Sequence, residues 1–463
     1  MTDGRGTNAI VGPVYRPGDT RYDEACAIYN RLYRARPALV IRPVDGQDVA
    51  RALAYAQREG YEVAVRGGGH SLAAFGTTEG GLLIDLADLD EIAVVAETRT
   101  ATAGGGVRAG AFTVATYDQG LVVPLGDSPE VGLAGLTLGG GIGWLSRKLG
   151  LALDSLDSAD VVLADGTIVT ASEDDHDDLF WALRGGGGNF GVVTCFRFRL
   201  HDLGEVVGGV LALPATPAVL RGVIDVAADA PDELGTIALV TRLGPLPIVP
   251  PEAQGQLAVL VTLVWCGDVA EGRRQVDRLR GLASPLIDVV RPRPYTEMYS
   301  IFADAAPATI TNLTSTLLTD TKEFDDRAIE SVLHAFEDPG PAEEPVLSAV
   351  ELRVLGGAVA RVDPKATAFA HRRRDLVCSV VKAGFAPPRA DHHRAWVRSL
   401  TEDLAHLSRG AYVNFVGDPG ESQLSEAYPP ATLRRLALIK SRYDPDNTFR
   451  RNLNIRPSDR TGS

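Results

Sequence analysis

The sequence predicts an α+β protein built in two lobes. Three observations carry this. The chain has 463 residues, more than one hydrophobic core usually takes. Its first two hundred residues interleave short apolar strands with helices and three glycine-rich loops. After Leu203 the composition shifts to longer strands with helices between them, the pattern of an antiparallel sheet backed by helices. The first lobe is expected to span residues 1–203, the second 204–417, and a C-terminal segment, 418–463, to return to the first.

In order, Tyr22, Cys26, Tyr29 and Tyr33 recur at helical spacing and predict a helix over 20–34, ended by Pro37. A strand follows at 38–42. Asp45 reads as the N-cap of a helix over 46–59 and Gly60 as its stop. A strand at 63–66 completes a small βαβ unit that feeds the first glycine loop. Further strands are expected at 82–86 and as a pair over 91–102 around Ala96-Glu97-Thr98. Gly104-Gly105-Gly106 opens a helix toward Asp118 that Gly120 stops, and a strand at 121–124 runs into the second loop. Asp165-Gly166 turns a hairpin of 160–164 and 167–171. A helix at 177–183 precedes the third loop and a strand at 192–198 follows it.

The second half is expected to hold strands at 206–213, 236–242, 256–265 and 348–355, the last closed by Gly356-Gly357. Helices are expected at 270–282, 322–336, part of 363–371, and 392–408, with a proline-rich acidic loop at 338–344. Near the end come a strand at 412–415, a helix at 430–442 and a turn from Tyr443 to Asn447. No internal repeat appears.

Hydrophobic residues make up 45% and charged residues 23%, an ordinary globular profile, with a net charge of −14. Nucleic acid and anionic membranes need a basic face, so neither is expected as a partner. The four cysteines, Cys26, Cys195, Cys266 and Cys378, lack zinc-ligand spacing and read as buried free thiols of a reduced, cytoplasmic protein. Residues 1–6 carry no signal-peptide pattern, and no apolar run is long enough to span a bilayer.

The loops carry the functional signal. The first reads Arg66-Gly67-Gly68-Gly69-His70-Ser71. Glycines leave backbone amides uncovered, so such a loop can close on an anion, and Arg66 adds positive charge. The second runs from Ser128-Pro129-Glu130-Val131-Gly132 through Gly135, Leu136, Thr137, Gly139, Gly140, Gly141 and Gly143 to Trp144. The third, Gly186-x-Gly188-x-x-Gly191, matches the spacing of a dinucleotide fingerprint. That fingerprint needs a strand before it and a helix after it. Here the order is reversed, so Rossmann-type binding is rejected. Two long loops and a third in one half of the chain point to a phosphate-bearing cofactor.

The ordered motifs resemble the FAD-linked oxidases of the vanillyl-alcohol oxidase (PCMH-type) superfamily, in the berberine-bridge-enzyme-like branch, over nearly the whole chain. The resemblance implies a two-lobed PCMH-type FAD-binding fold. It implies that FAD is held by Arg66 to Ser71 and by Ser128, Val131, Gly132, Gly135, Leu136, Thr137, Gly139, Gly140, Gly141, Gly143 and Trp144. Gly191, Val192 and Val193 would lie near its adenine end, with Tyr412, Asn414, Asn452 and Asn454 completing the set. It implies that His70 is bonded to the 8α-methyl of the flavin. Many relatives carry Cys where this chain has Ser128, and form a second bond to flavin C6. A serine hydroxyl cannot add in that way, so one bond is expected. Val131 falls at a position that gates oxygen in relatives; a small residue favours an oxidase.

Tyr412 and Asn414 match the family's Tyr-x-Asn motif, and on a strand alternate residues share a face. Tyr412 is the candidate base or substrate orienter. A free phenol, pKa about 10, is a poor base and would need a nearby positive charge or a strong acceptor. Phe415 stands where relatives often have a second Tyr. Cys26 and Tyr29 replace the family's usual Arg and Trp. Glu351 aligns with a pocket-facing carboxylate of an amine-oxidising relative and is a candidate substrate contact. Tyr295 and Tyr299 line the pocket or pack in the core. His392-His393 reads as a helix start and not as a metal pair, and no metal is expected.

The expected activity is an FAD-dependent oxidase. It would take hydride from an alcohol or amine carbon of a secondary metabolite or sugar and give hydrogen peroxide from oxygen. Two alternatives stay open: a flavin-containing protein that sequesters a small molecule, and a dehydrogenase with a non-oxygen acceptor. The expected partners are a small-molecule substrate and molecular oxygen, in a monomer or homodimer.

Overall fold

The computed structural model describes residues 7, 9–301, 310–337, 347–417 and 421–458. The expected loop at 338–344 and the N-terminal six residues lie outside them.

A four-stranded sheet, in the order Val14–Tyr15, Leu39–Ile41, Leu82–Asp85, Val63–Arg66, forms the first unit. Leu82–Asp85 runs parallel to both of its neighbours, so it sits between the two strands of the expected βαβ unit. The helix Gly46–Glu59 connects them. Asp45 accepts a 2.7 Å hydrogen bond from the Asp48 amide, and Gly60 ends the helix at φ +74°, where a side chain would be strained. Val49, Ala52, Leu53 and Ala56 give this helix its buried stripe against Leu39, Ile41, Val63, Leu82 and Ile84.

A five-stranded antiparallel sheet follows, in the order Ile92–Val95, Thr100–Gly104, Val192–Arg199, Leu156–Val162, Ile168–Ser172. The helices Ala109–Tyr117 and Asp177–Leu183 pack on it through Phe112 and through Leu179, Phe180 and Leu183. The C-terminal helix Pro430–Tyr443 joins the same core through Leu436, Ile439 and Tyr443. Its Lys440 is fully buried, pairs with Asp444 at 2.6 Å and donates to the Asn189 carbonyl. A buried ammonium is tolerable only when paired in this way.

The third unit is an eight-stranded antiparallel sheet. Its main path runs Ile287–Asp288, Val206–Pro214, Leu257–Trp265, Leu234–Arg242, Leu347–Val354, Leu376–Ala383, Asn312–Thr319, and Arg291–Arg293 pairs with Val206–Pro214. Alternation divides its two faces. Leu211, Val240, Val261, Leu352 and Cys378 face the helices Pro217–Asp229, Val269–Arg280, Asp326–His334 and Ala390–Leu404. The opposite face turns Val206, Ile237 and Val264 toward Trp144 and Leu145 of the second glycine loop. Glu351 and Arg353 share that face by the same period of two.

Several expectations need correction. The helix expected over 20–34 is only Tyr22–Cys26. Beyond it the Tyr29 amide donates to Gly69 and the Asn30 side chain to Leu72, so long-range bonds replace helical ones. Residues 363–371 form turns; Asp363 Oδ1 accepts from the Lys365 amide and competes with the helix backbone. Residues 412–415 are not a strand, because Val413–Phe415 make one turn of 3₁₀ helix. The helices Pro217–Asp229 and Gly357–Arg361 and the strands Asn312–Thr319 and Leu376–Ala383 were not anticipated. For the first of these a local signal existed: Thr216 caps Val219 at 3.2 Å, and Pro217 begins the helix.

Candidate active site

The first glycine loop leaves the strand Val63–Arg66 and meets the second loop backbone to backbone. A Cβ added at Gly68 would lie 2.2 Å from the Gly132 nitrogen, so only glycine permits this approach. Arg66, expected to add positive charge, stands in an ion pair. It is buried, with Nε and Nη2 at 3.2 and 2.9 Å from Asp85, and it also donates to the carbonyls of Ala25 and Ala27. Its charge is paired with Asp85, and both residues line the cavity beside the loop. Arg108 is the arginine that serves the loops: its Nη1 donates to the Gly68 carbonyl at 2.7 Å and to the Glu130 carbonyl, tying one loop to the other. A cavity of about 160 Å³ opens beside Gly67, Gly68 and Arg108.

His70 lies mostly buried, stacked on Tyr29 with ring centroids 4.2 Å apart and planes at 21°. Its Nδ1 is buried and has no hydrogen-bond partner among the described residues. Burial, reinforced by the charge of Arg108, pulls its pKa down to about 4, so the imidazole is neutral at pH 7. Ser71 Oγ accepts from the Phe75 amide at 3.2 Å.

In the second loop, Ser128 and Val131 form a turn, and the Val131 carbonyl accepts from Ala109 at 2.9 Å. The Val131 side chain packs against the core. Gly132 caps the short helix Leu133–Gly139. A Cβ at Gly135 would meet nothing within 4 Å. A Cβ at Gly139 would lie 2.0 Å from Asn414 Oδ1, and one at Gly140 would lie 2.9 Å from the Tyr412 ring. These last two glycines therefore make room for the Tyr-x-Asn pair. Gly143 is pressed against the Leu125 carbonyl, and buried Trp144 donates Nε1 to Thr262 at 3.1 Å. Trp144 joins the loop to the eight-stranded sheet, and Gly143 lets the loop fold against the segment at Leu125.

Although not on a strand, Tyr412 and Asn414 are brought together. Asn414 Nδ2 donates to the Tyr412 hydroxyl and to the Leu136 carbonyl, each at 3.0 Å. The Gly141 amide donates to the same phenol oxygen at 2.9 Å. Burial raises the Tyr412 pKa; the two donors and the charge of Arg353 oppose the shift. Phe415 contacts both, its ring centroid 4.9 Å from that of Tyr412 and 5.2 Å from the Arg353 guanidinium. Arg353 supplies one of the two aids the phenol chemistry left open, a nearby positive charge, and it was not singled out in the sequence. The readable signal was Glu-x-Arg, which sets both side chains on one strand face.

Glu351 has both oxygens engaged by Arg353, at 2.6 and 3.0 Å. The same guanidinium grips Asp127, next to Ser128, at 2.8 and 3.1 Å. Glu351 is thus part of an ion cluster linking the sheet to the second loop. Tyr295 is 1% exposed and packs with Trp144, and Tyr299 donates to the Gly126 carbonyl at 3.0 Å. Both belong to the packing between sheet and loops, and burial pushes Tyr299 up to about 12.

The helix Asp177–Leu183 precedes the third loop and the strand Val192–Arg199 follows it, as the rejection of a Rossmann site required. Val192 and Val193 are buried, and Gly191 packs on Val161. Asn452 Nδ2 donates to Gly188 at 3.0 Å, while Asn454 Oδ1 is buried without a partner among the described residues. His392 and His393 sit together near the start of Ala390–Leu404, and no group of metal-binding side chains occurs among the described residues. All four cysteines are free; Cys266 and Cys378 are buried as expected, but Cys26 and Cys195 are only half-buried. No helix among the described residues is long and apolar enough to cross a membrane.

These residues fit a large polar cofactor. His70 Nδ1, Thr137 Oγ1 and Asn454 Oδ1 are buried polar atoms that the described residues leave without a hydrogen-bond partner. They lie on three segments that the family resemblance expects beside one ligand.

Residues 37–172 match the family model of the FAD binding domain, and residues 411–456 match that described as berberine and berberine like. The (R)-6-hydroxynicotine oxidase of Paenarthrobacter nicotinovorans is 30% identical, with 97% of each chain covered. A solved structure of 6-hydroxy-D-nicotine oxidase from Arthrobacter nicotinovorans superposes with a TM-score of 0.86, covering 96% of this chain and 98% of that one at 28% identity. Glucooligosaccharide oxidase from Acremonium strictum, described with a 6-S-cysteinyl, 8α-N1-histidyl FAD, gives a TM-score of 0.86 over 97% of this chain and 98% of its own. At 23% identity that last likeness speaks for the fold alone.

Proposed function

The chain belongs to the berberine-bridge-enzyme-like FAD-linked oxidoreductases, and from that premise we propose an oxidase acting on a hydroxyl-bearing carbon of a secondary metabolite or sugar. When bound, FAD supplies the hydride acceptor and passes the electrons to dioxygen, giving hydrogen peroxide. The protein supplies binding, orientation and proton transfer. In this reading residues 1–203 and 418–463 hold the cofactor and 204–417 shape the substrate pocket. His70 carries the single covalent bond, because Ser128 stands where a second, cysteinyl link would need a thiol.

The observation that carries the proposal is the setting of Tyr412. Its phenol oxygen receives two N–H donors and sits against Gly140 and Gly141 of the second loop. Two donors and the charge of Arg353 stabilise a phenolate that burial opposes. Tyr412 would take the hydroxyl proton as the C–H bond breaks, and Asn414 would hold the phenol in place. Glu351 and Asp127 are both clasped by Arg353, so neither stands alone to pair with a cationic amine. This favours an alcohol over an amine.

A peroxide-coupled screen of alcohols, glycosides and amines tests the reading. Many equivalents of peroxide per flavin, from an alcohol, are expected. Flavin that is reduced under anaerobic conditions and stays reduced in air would overturn the oxidase assignment.

A further inference from the structure

The sequence marks Tyr29 as a departure from the family pattern, and the structure gives it a place in the site. Residues 29 and 30 form a strap across the first glycine loop. The Tyr29 amide donates to the Gly69 carbonyl at 3.0 Å, immediately before His70. Asn30 Nδ2 donates to the Leu72 carbonyl at 2.9 Å, two residues after it. The strap is anchored on its other side to the eight-stranded sheet: Ile310 donates to Tyr29 at 2.8 Å, and Asn30 exchanges bonds with Asn312 at 2.9 and 3.1 Å. Between these anchors the Tyr29 ring lies nearly parallel to the imidazole. The ring covers one face of His70, and Nδ1 remains buried with no partner among the described residues.

We propose that Tyr29 is a positioning residue for attachment of the flavin to His70, fixing the imidazole plane so that Nδ1 addresses the 8α carbon. The proposal rests on the histidyl-flavin reading above. In the coupling, a bond forms between Nδ1 and the 8α carbon. The methyl group loses one C–H hydrogen and the neutral imidazole loses its N–H hydrogen. The electron pair passes to dioxygen, which leaves as hydrogen peroxide with both protons. A neutral imidazole is needed for attack, and burial together with Arg108 keeps His70 in that form near neutral pH. Geometry is the remaining requirement, since displacement of a reacting atom by about 1 Å can cost on the order of 10²-fold.

The test is the rate at which the polypeptide acquires the mass of FAD, read by mass spectrometry of denatured protein after FAD is added to protein produced without flavin. Noncovalent FAD binding, read by fluorescence quenching, is measured alongside. Tyr29→Phe and Tyr29→Trp keep a ring over His70 and should couple at the parental rate. Tyr29→Leu, which keeps apolar volume, and Tyr29→Ala should bind FAD but couple about tenfold more slowly, the upper range for loss of an aromatic pair. Because Tyr29→Leu preserves packing, it carries the test if Tyr29→Ala does not fold. Parental coupling in Tyr29→Leu would overturn the positioning role while leaving the histidyl link intact. A parent that binds FAD yet shows no adduct would overturn the link itself, and the positioning role with it.

Discussion

His70 of the first glycine loop and Arg353 of the eight-stranded sheet meet burial in opposite ways. Around the loops, His70 Nδ1 and Thr137 Oγ1 are buried without a hydrogen-bond partner among the described residues. On the sheet, Arg353 is clasped by Glu351 and Asp127 through four hydrogen bonds of 2.6 to 3.1 Å. The first pattern costs stability until a ligand answers it; the second is complete within the protein. On the proposed function, the contrast separates residues that would meet the cofactor from residues that would shape its surroundings. Even within one loop it holds: Arg66 is saturated by Asp85, while His70, four residues on, is left open.

Substitutions on the two sides should therefore fail differently. The largest effect is expected at His70. His70→Ala should still bind FAD noncovalently but lose it wholly on denaturation, and its flavin should be harder to reduce. Intact-mass analysis and a reductive titration read both. An adduct that persists in His70→Ala would place the covalent link elsewhere.

Next comes Tyr412→Phe, which should keep the flavin yet slow its anaerobic reduction by about 10²–10⁴-fold, the usual worth of a positioned acid or base. Burial raises the phenol above its ordinary pKa, so the reactive phenolate is a minor species that grows with pH. In the parent, the reduction rate should thus climb through neutral pH with no plateau below about pH 10. A plateau below that value would show that another group takes the proton.

Arg353→Met should act on the fold. It leaves two carboxylates facing each other without their cation, and breaking a buried pair this way costs about 3–5 kcal/mol. The denaturation midpoint should fall, and adding Glu351→Gln and Asp127→Asn should recover most of the loss. If Arg353→Met unfolds at the parental midpoint, the cluster does not hold the sheet to the loop.

The smallest effect sharpens the contrast most. Thr137→Val removes a buried hydroxyl that has no partner among the described residues, so the flavin-free protein should be as stable as the parent or more so. FAD affinity should weaken by a few-fold, in line with one hydrogen bond of about 1 kcal/mol. Calorimetry of flavin-free protein and an FAD titration measure the two halves. A loss of stability without loss of affinity would make Thr137 a packing residue.

What could be read from the chain in advance follows the reach of the forces involved. The helix Gly46–Glu59 was legible because Asp45 and Gly60 act within a few residues of its ends. The hairpin at Asp165-Gly166 was legible for the same reason, and it joins Leu156–Val162 to Ile168–Ser172. The helix expected over 20–34 failed because the bonds of Tyr29 and Asn30 go to Gly69, Leu72 and Asn312, far along the chain. The Tyr-x-Asn pair was found for a reason that needed revision. The two side chains meet through a hydrogen bond across one turn of 3₁₀ helix, and not by strand alternation.

By itself the sequence determined the α+β class, the glycine loops and the residue types able to serve a flavin, because backbone freedom and side-chain chemistry are local properties. Only the tertiary structure decided which charges are available. Arg66 is consumed by Asp85, Arg108 bridges the two loops, and Arg353 joins Asp127 from 226 residues away while lending its field to Tyr412. A charge acts through distance and burial, and both are set by which segments the fold brings together.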